Sequence, residues 1–311
     1  MSKILITGGA GYIGSVLCEE LLKNKHSVHV FDNFLYSNTS LAHLMNYKNL
    51  KITKGDIRDF KKLEVLLNKH EYVIPLAALV GAPICDREPF NADTVNYEAN
   101  LKLFKKLKSS HKLIMPTTNS AYGSGNKNNY CDEKSKLKPL SKYAKDKVKI
   151  EKIIMKRKNS ISLRLATVFG SSSRMRTDLL VNDFVRKAYF DKSLVIFEPH
   201  FKRNYIHVRD VANAIILMIN NFEKLKGNIF NVGLSSANLS KLELAKKIKK
   251  YVKDLVIKIE NFKKDKDQRN YIVSNLKIEK VGFIPEMTLD DGIQELIKYY
   301  STQKNYDQGN V

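Results

Sequence analysis

Short apolar runs alternate with longer amphipathic segments through the first half of the chain. The short runs have the length and boundaries of buried strands, whereas the longer segments carry apolar residues at the spacing of a helix. The pattern predicts strands at residues 3–7, 27–33, 50–57, 72–78, 112–118 and 160–170. It predicts helices near residues 11–23, 93–109 and 143–157. Strands that alternate with helices indicate a parallel sheet covered on both faces.

The pattern changes after Gly170. The second half predicts helices at 174–190, 211–222, 239–255 and 288–300, and short strands at 193–199 and 227–233. We therefore expect an α/β fold in which residues 1–170 form a Rossmann-type domain with a doubly wound parallel sheet. Residues 171–311 are expected to form most of a smaller C-terminal lobe, and 227–233 is a candidate to return to the main sheet.

Three glycines follow the first predicted strand at a regular spacing. Gly8, Gly11 and Gly14 stand between the run KILIT and the next helix. In this context glycines allow a tight turn and a close backbone approach to a pyrophosphate, and a helix N-terminus favours negative charge. The second strand ends in Asp32, a carboxylate placed to bind the adenosine ribose and to repel a 2′-phosphate. The stretch predicts a dinucleotide site that takes NAD rather than NADP.

The chain carries a net charge of +22, and only ten of its 54 basic residues are arginine. The lysines are spread over every segment, whereas specific nucleic-acid recognition usually relies on arginine as well. We therefore interpret the lysines as solvated helix faces and expect no nucleic-acid partner. The positive field still favours an anionic small substrate.

The cysteines, the histidines and the lengths of the apolar runs bear on the compartment, on metal binding and on membrane insertion. The three cysteines are odd in number and lack paired spacing, which is typical of a reduced compartment. The seven histidines form no metal-ligand pattern, so we expect no metal. No uninterrupted apolar run of ~18 residues occurs, and the N-terminus enters a strand-like run without a leader. We therefore expect a cytoplasmic protein without a membrane partner.

The spacing Tyr-x-x-x-Lys puts both side chains on one face of a helix, and it occurs four times in this lysine-rich chain. The pairs are Tyr47/Lys51, Tyr130/Lys134, Tyr143/Lys147 and Tyr300/Lys304. Spacing alone therefore selects none of them. The context separates them, because two pairs begin in predicted loops, one lies near the C-terminal tail, and the pair at 143 and 147 lies on a predicted helix.

Several segments together resemble the extended branch of the short-chain dehydrogenase/reductase family, which contains the NAD-dependent nucleotide-sugar epimerases and dehydratases. They are the glycine turn ILITGGAGYIGS, GDIRD, PLAALVG, TTNSAYG and FKRNYIHVRDV. The resemblance covers nearly the whole chain. It implies NAD as the cofactor, a UDP- or GDP-linked sugar as the substrate, and a C-terminal lobe that is mostly substrate-binding.

The resemblance implies a set of cofactor-binding residues in the glycine turn, after the second to fourth strands and on two later helices. They are Gly8, Gly11, Tyr12, Ile13, Gly14, Asp32, Asn33, Asp56, Ile57, Leu76, Ala77, Ala78, Asn100, Tyr143 and Lys147. Pro75 replaces a histidine that the family usually has. A polar helix face explains Asn100 nearly as well as a place near the nicotinamide ribose.

The same resemblance assigns the catalytic residues. The pair Tyr143/Lys147 alone lies on a helix that follows a Ser/Thr-x-x-x-Tyr-Gly strand end, and this strand end puts Thr118 in the catalytic hydroxyl position. Thr118 would orient a sugar hydroxyl and Tyr143 would remove its proton. An ammonium group beside a phenol favours the phenolate, so we expect Lys147 to lower the pKa of Tyr143 from its ordinary ~10.

Substrate-binding residues are implied in both halves of the chain. They are Thr118, Asn119, Thr167, Arg176, Asn182, Arg203 and Arg269. Thr167 replaces the asparagine that usually contacts the substrate phosphate, and Arg203 and Arg269 match phosphate-binding positions. Arg176 is either a diphosphate clamp or a solvated charge beside a helix. Asn182 either meets the nucleotide or caps local backbone.

The two residues after Thr118 separate the reactions of the branch. Members that dehydrate carry an Asp-Glu pair there, whereas this chain has Asn119 and Ser120, which cannot act as carboxylate acids or bases. A 4,6-dehydratase is therefore disfavoured. The joint presence of Thr118, Tyr143 and Lys147 likewise disfavours a protein that binds NAD without turnover.

Two reactions at C4 of the sugar remain. We expect a 4-epimerase, similar to UDP-glucose 4-epimerase, in which the hydride returns to the other face of the sugar. The alternative is a C4 dehydrogenase whose NADH is recycled by a second substrate. It is favoured by the segments PLAALVGAP, LRLATVFG, MRTDLLVNDF, FKRNYIHVRDV and GLSSANL, which resemble a subgroup that contains GDP-heptose 4-dehydrogenases.

A homodimer is also implied by the resemblance. Family members commonly pair through the helix of the Tyr/Lys motif and the helix before it, here 143–157 and 93–109. Both helices carry many lysines, which must face away from the two-fold axis if the interface is to be apolar enough.

Overall fold

The computed structural model describes residues 1–124, 130–260 and 269–304. Within these ranges the strands belong to one large sheet and three small ones. The strands are β1 Lys3–Thr7, β2 Ser27–Asp32, β3 Leu50–Lys54, β4 Tyr72–Pro75, β5 Lys112–Thr118, β6 Tyr130–Cys131, β7 Ser160–Leu165, β8 Thr167–Phe169, β9 Ser193–Ile196, β10 Lys202–His207, β11 Ile229–Val232, β12 Asn238–Ser240, β13 Val256–Ile259 and β14 Ile272–Val273.

Helices connect most of these strands. They are α1 Tyr12–Lys23, α2 Phe60–Leu67, α3 Ala82–Arg87, α4 Pro89–Ala92, α5 Ala99–Lys106, α6 Lys142–Ile154, α7 Leu180–Phe190, α8 Val208–Asn220, α9 Phe222–Leu225, α10 Lys241–Tyr251, α11 Leu276–Glu279 and α12 Leu289–Ser301. A π-helical turn, Asp93–Glu98, precedes α5, and a 3₁₀ turn, Asn119–Tyr122, follows β5. Among the described helices, none is long and apolar enough to cross a membrane.

The large sheet is parallel, with its seven described strands in the order β11-β7-β5-β4-β1-β2-β3. Apolar side chains of α1 and α8 cover one face, and those of α2, α5 and α6 cover the other. The predicted Rossmann-type α/β fold is therefore confirmed. The strand order reverses between β1 and β4, and a doubly wound sheet binds its ligand in the crevice beyond that point.

The remaining strands build the other side of this crevice. A three-stranded sheet in the order β12-β10-β8 carries Arg203 and Thr167, and α7, α10 and α12 enclose a second apolar core. The predicted strand 227–233 contains β11, which pairs with β7 at the edge of the main sheet. The division of the chain at residue 170 stays a prediction.

Two predicted elements differ from the observed ones. The strand expected at 160–170 is two strands, because the chain leaves the main sheet after Ala166, and Thr167 pairs with Tyr205 instead. The helix expected at 174–190 begins only at Leu180. The irregular stretch before it is held by side-chain hydrogen bonds to its backbone, and sequence periodicity does not reveal such contacts.

Candidate active site

The glycine turn has the tight geometry that its sequence predicts. Gly8 has a φ of +75°, and a Cβ at this residue would lie 2.4 Å from the amide nitrogen of Ala77. A Cβ at Gly14 would lie 2.4 Å from the carbonyl oxygen of Gly8. Gly11 stands at the N-cap of α1. The turn therefore packs closely against the end of β4, and the N-terminus of α1 is left for a pyrophosphate.

Asp32, at the end of β2, is joined to this turn. Its Oδ2 accepts a hydrogen bond from the Ala10 amide at 2.9 Å, and its Oδ1 accepts one from the Phe34 amide at 2.7 Å. Burial raises the pKa of Asp32, although both of these hydrogen bonds lower it. Its carboxylate is thereby oriented beside the phosphate turn, as an adenosine ribose requires.

Other predicted cofactor residues lie next to Asp32 in the sheet. Asp56 follows β3 and forms an ion pair with Arg58 at 2.7 Å, whose hydrogen bond lowers the pKa of Asp56. Ile57 is buried, and Asn33 is a hydrogen-bond partner of Asp56. The turn, the Asp32 carboxylate and this polar edge would hold the pyrophosphate and adenosine of NAD.

Asn96 is a residue that the sequence analysis missed. Its Oδ1 accepts a hydrogen bond from the Leu79 amide at 2.8 Å, and its Nδ2 donates to the Leu79 carbonyl at 2.9 Å. It therefore holds the loop after β4 beside the cleft. Asn100, one helical turn later, donates to the carbonyls of Val95 and Asn96, and its buried Oδ1 has no partner among the described residues. In the sequence, the indication for this pair was an asparagine at both positions, four residues apart.

Thr118 is the last residue of β5, and the helix α6, which carries Tyr143 and Lys147, lies beside this strand. Ser141 caps α6 by accepting a hydrogen bond from the Ala144 amide, so the helix begins just before Tyr143. The ammonium of Lys147 donates to the Pro116 carbonyl of β5 at 3.3 Å and lies 5.9 Å from the centroid of the Tyr143 ring. The glycine turn follows β1 at the same carboxyl edge of the parallel sheet.

The pKa shift of Tyr143 differs from the one that we predicted from Lys147. Desolvation raises the pKa of Tyr143 to about 12, and nearby Cys85 raises it further, whereas Arg176 and Arg269 lower it. Desolvation also lowers the pKa of Lys147 to about 8. The predicted lowering of the tyrosine pKa by Lys147 is therefore wrong for the protein by itself, because burial favours the neutral form of both side chains.

The predicted phosphate-binding arginines, Arg203 and Arg269, lie on β10 and just before β14. Arg203 is buried, donates to the Lys202 carbonyl at 2.9 Å and lies with its guanidinium 5.8 Å from the Tyr271 ring centroid. Arg269 donates to Oγ of Ser120, which in turn accepts a hydrogen bond from Oγ1 of Thr118 at 3.0 Å. Arg269 is thus linked to Thr118 through one hydroxyl.

Two buried polar side chains at these strand ends lack partners among the described residues. They are the amide of Asn119, for both of its atoms, and Oγ1 of Thr167. Asn119 is fully buried directly after Thr118, and Thr167 begins β8 directly beyond β7. A buried polar group without a hydrogen bond costs about 1–3 kcal/mol, so such groups are usually satisfied by a ligand or water. Both residues fit a polar ligand in the cleft.

Asn182 uses its whole amide within the protein. Its Oδ1 accepts from the Gly170 amide at 3.0 Å, and its Nδ2 donates to the Arg176 carbonyl at 2.9 Å. Tyr12 donates to the Gly170 carbonyl at 2.7 Å, so the first turn of α1 is tied to the same stretch. These contacts match the local-backbone alternative for Asn182, and they give the Tyr12 side chain a role in joining the two halves.

A buried polar network behind the catalytic helix was also missed. Glu151 lies one turn beyond Lys147 and forms an ion pair with Arg164 of β7 at 2.7 Å. The Glu151 carboxylate also accepts from Ser162 at 2.8 Å and from Thr117, the residue before Thr118, at 3.2 Å. The network thus joins α6 to β5 and β7. The spacing of Lys147 and Glu151 on one helix face was its only sequence signal.

The sequence model of the NAD dependent epimerase/dehydratase family matches residues 4–233. The match covers most of the chain, so the protein belongs to this family and is an enzyme of the extended short-chain dehydrogenase/reductase type with NAD as its cofactor. The predictions of the family, the enzyme class and the cofactor are confirmed.

Several similar proteins are named for a nucleotide sugar or were solved with one bound. A low-salt glycan biosynthesis protein of Haloferax volcanii is 27% identical over 311 residues, covering 96% of this chain and 98% of the relative. The UDP-glucose 4-epimerase of Thermotoga maritima, solved with UDP-glucose, is 26% identical with a TM-score of 0.82, covering 96% and 98% of the two chains. The UDP-N-acetylglucosamine 4-epimerase of Methanobrevibacter ruminantium M1, in complex with UDP-N-acetylmuramic acid, is 26% identical with a TM-score of 0.84, covering 97% and 99%.

Proposed function

We propose that this enzyme oxidises C4 of a nucleotide-activated sugar and acts as a 4-epimerase. The observation that carries the proposal is the contact of α6 with β5, which places Lys147 and Tyr143 beside the strand that ends in Thr118. The 4-epimerases among its similar structures support the same reaction.

The residues divide the chemistry between them. NAD, when bound, supplies a reversible hydride acceptor at C4. Tyr143 in its phenolate form accepts the proton of the C4 hydroxyl as the C4–H bond breaks, which leaves a ketone at C4. Thr118 holds the hydroxyl in hydrogen-bond reach of Tyr143. Tyr143 would then return its proton to the C4 oxygen, and hydride supplied to the opposite face would invert C4 without net oxidation.

Dehydration is not proposed, because it needs a carboxylate pair beside the threonine. Asn119 and Ser120 stand there, and Ser120 is occupied by hydrogen bonds from Thr118 and Arg269. The amide of Asn119, which has no partner among the described residues, instead offers a neutral donor nitrogen and a neutral acceptor oxygen, which suit the hydroxyls of a sugar.

We assign the diphosphate of a UDP- or GDP-linked sugar to Arg203 and Arg269. A guanidinium group matches phosphate geometry in two hydrogen bonds, and the net charge of +22 favours an anionic substrate. Thr167 is assigned to the same substrate, since its buried Oγ1 lacks a partner among the described residues. Asn182 and Arg176 are not assigned to the diphosphate, because protein groups already bind both side chains.

The test incubates the NAD-loaded enzyme with a panel of UDP- and GDP-sugars and follows cofactor absorbance and product stereochemistry. A 4-epimerase inverts C4 while no NADH accumulates. Accumulation of NADH that is relieved only by a second oxidant, such as a keto acid, identifies the C4 dehydrogenase instead. No reaction at C4 with any sugar nucleotide rejects both.

The Tyr143→Phe variant tests the catalytic assignment in the same assay. It keeps NAD and substrate binding but loses turnover by about 10²–10⁴-fold, the usual contribution of general-base catalysis. Turnover within a few fold of the wild type would show that another group takes the proton.

We further propose a homodimer formed through α6 and the helical segment 93–106. The outward side of α6 carries three exposed lysines, Lys145, Lys149 and Lys152, and Lys156 follows the helix. These lysines must face away from the two-fold axis if the interface is to be apolar enough. The cytoplasm is proposed as the compartment, because all three cysteines are free thiols.

A further inference from the structure

Arg176 is a buried arginine between β8 and α7, and several contacts hold it in one orientation. Its Nε donates to Oδ1 of Asp178 at 3.0 Å, and its Nη2 donates to the other carboxylate oxygen. Nη2 also lies 3.4 Å from the carbonyl oxygen of Val80. A bidentate arginine–carboxylate pair is both strong and directional. The guanidinium is therefore a rigid charge rather than the solvated one that its sequence also allowed.

Val80 belongs to the loop against which Tyr143 packs. The Tyr143 ring lies on a small apolar cluster that includes Leu79 and Cys85 of this loop and the following helix. A Cβ at Gly81, the next residue after Val80, would lie 3.9 Å from Nη2 of Arg176. The guanidinium thus borders the same loop as the phenol, and its charge acts on Tyr143 against the larger effect of desolvation.

The charged and titratable groups around Tyr143 come from four parts of the chain. They are Lys147 on its own helix, Cys85 on α3, Arg176 before α7, and Arg269 before β14. Lys147 directs its ammonium to the Pro116 carbonyl, and burial lowers its pKa to about 8. The two arginines keep their charge across the working pH range, since guanidinium groups stay protonated in proteins.

We propose, on the basis of the function above, that Arg176 is a positioning residue for the ionisation of Tyr143. Its permanent charge, partly balanced by Asp178, stabilises the phenolate that accepts the sugar proton. This role is distinct from binding the diphosphate, because the pair with Asp178 is formed within the protein.

The first test measures the pH dependence of kcat/KM for C4 oxidation in the NAD-loaded enzyme. A general base must be deprotonated, so activity rises with pH through the pKa of Tyr143. Arg176→Gln removes the cation and moves this rise to higher pH by about one unit, which is about tenfold in rate below the midpoint. Asp178→Asn removes the negative charge that partly balances Arg176 and should move the rise in kcat/KM to lower pH.

The matched control is Arg174→Gln. Arg174 is equally buried two residues away, but its guanidinium stacks 4.2 Å from the Tyr36 ring centroid. The Arg174→Gln variant should keep the pH profile of the wild type. Arg176→Lys keeps a cation and should remain near the wild-type profile, which separates loss of charge from damage to the fold. Equal shifts for the Arg174 and Arg176 variants, or none for either, would overturn the proposal.

A second measurement needs no substrate. The ultraviolet absorbance of tyrosinate is titrated in the NAD-loaded wild type and in Tyr143→Phe, and their difference isolates Tyr143. The same pair of titrations in the Arg176→Gln background should show a higher midpoint, and an unchanged midpoint rejects the role of Arg176. If no sugar nucleotide reacts, the proposed function fails while this titration still decides the inference.

Discussion

The glycine turn and the sugar-facing side of the cleft are built in opposite ways. The turn is continuous in sequence and works through its backbone, with Gly8 and Gly14 removing side chains that would collide with Ala77 and Gly8. The sugar-facing side uses side chains from distant segments, such as Ser120 and Arg269, which are 149 residues apart. A side chain added in the glycine turn would collide with backbone, so this sequence tolerates almost no substitution. The side chains of the sugar-facing side can be replaced separately, which allows a different substrate while the cofactor site stays intact.

The largest effect that this comparison predicts comes from Gly8→Ala. The new Cβ would collide with the Ala77 backbone, and a φ of +75° costs a non-glycine residue about 1–3 kcal/mol. We expect NAD binding to be lost in calorimetric titration. Gly227→Ala is the matched control, since Gly227 has a φ of +77° but no atom within 4 Å of a Cβ. It should lose stability and keep NAD, and equal losses of NAD affinity in both variants would contradict the steric argument.

The second effect concerns the network that joins the catalytic helix to the sheet. Glu151→Ala leaves the Arg164 charge buried without its partner, and removing one partner of a buried pair costs about 3–5 kcal/mol. Denaturant unfolding measures this loss. Glu223→Ala, which removes an exposed partner of Lys226, should lower the free energy of unfolding far less, because solvent screens exposed ion pairs. Similar losses for the two variants would show that the buried pair is not a main anchor of α6.

The third effect should fall on the substrate alone. Arg269→Gln removes a charged donor to a phosphate, worth about 1.5–3 kcal/mol or roughly ten- to a hundredfold in affinity. Sugar-nucleotide affinity is measured beside NAD affinity, which should not change. Arg209→Gln is the control, because Arg209 is half exposed and pairs with Glu295 instead. A parallel loss of NAD affinity in the Arg269 variant would break the distinction between the two sides.

The smallest effect concerns the proposed dimer. Even when they face away from the two-fold axis, the lysines of two paired α6 helices repel each other. Added salt screens this repulsion, so dimerisation should strengthen as the Debye length falls from about 10 Å at 0.1 M to about 3 Å at 1 M. Light scattering at both salt concentrations measures it. Lys149→Glu should strengthen the dimer at low salt, and Lys258→Glu on the distant strand β13 is the control. A monomer under every condition would remove the proposed dimer.

Local pattern predicted the parts of this protein that depend on neighbouring residues. The alternation of strands and helices, the turn at Gly8, the carboxylate of Asp32 and the helix that carries Tyr143 and Lys147 all follow from short-range spacing. Their physical basis is local, because strand and helix periods, turn geometry and the face of a helix are set within a few residues. The predicted boundaries of helices and strands in the second half agreed less well with the structure, because side-chain hydrogen bonds there replace regular backbone structure.

The amino-acid sequence by itself determined the Rossmann-type sheet and the glycine turn for NAD, and the family resemblance selected Tyr143/Lys147 among the four Tyr/Lys pairs. Only the tertiary structure decided that Arg176 pairs with Asp178, that Asn182 serves the backbone around Gly170, and that burial holds the pKa of Tyr143 high. The reason is that burial and charge pairing depend on which distant segments surround a group. A pKa responds to all of those surroundings together, and no local spacing in the chain records them.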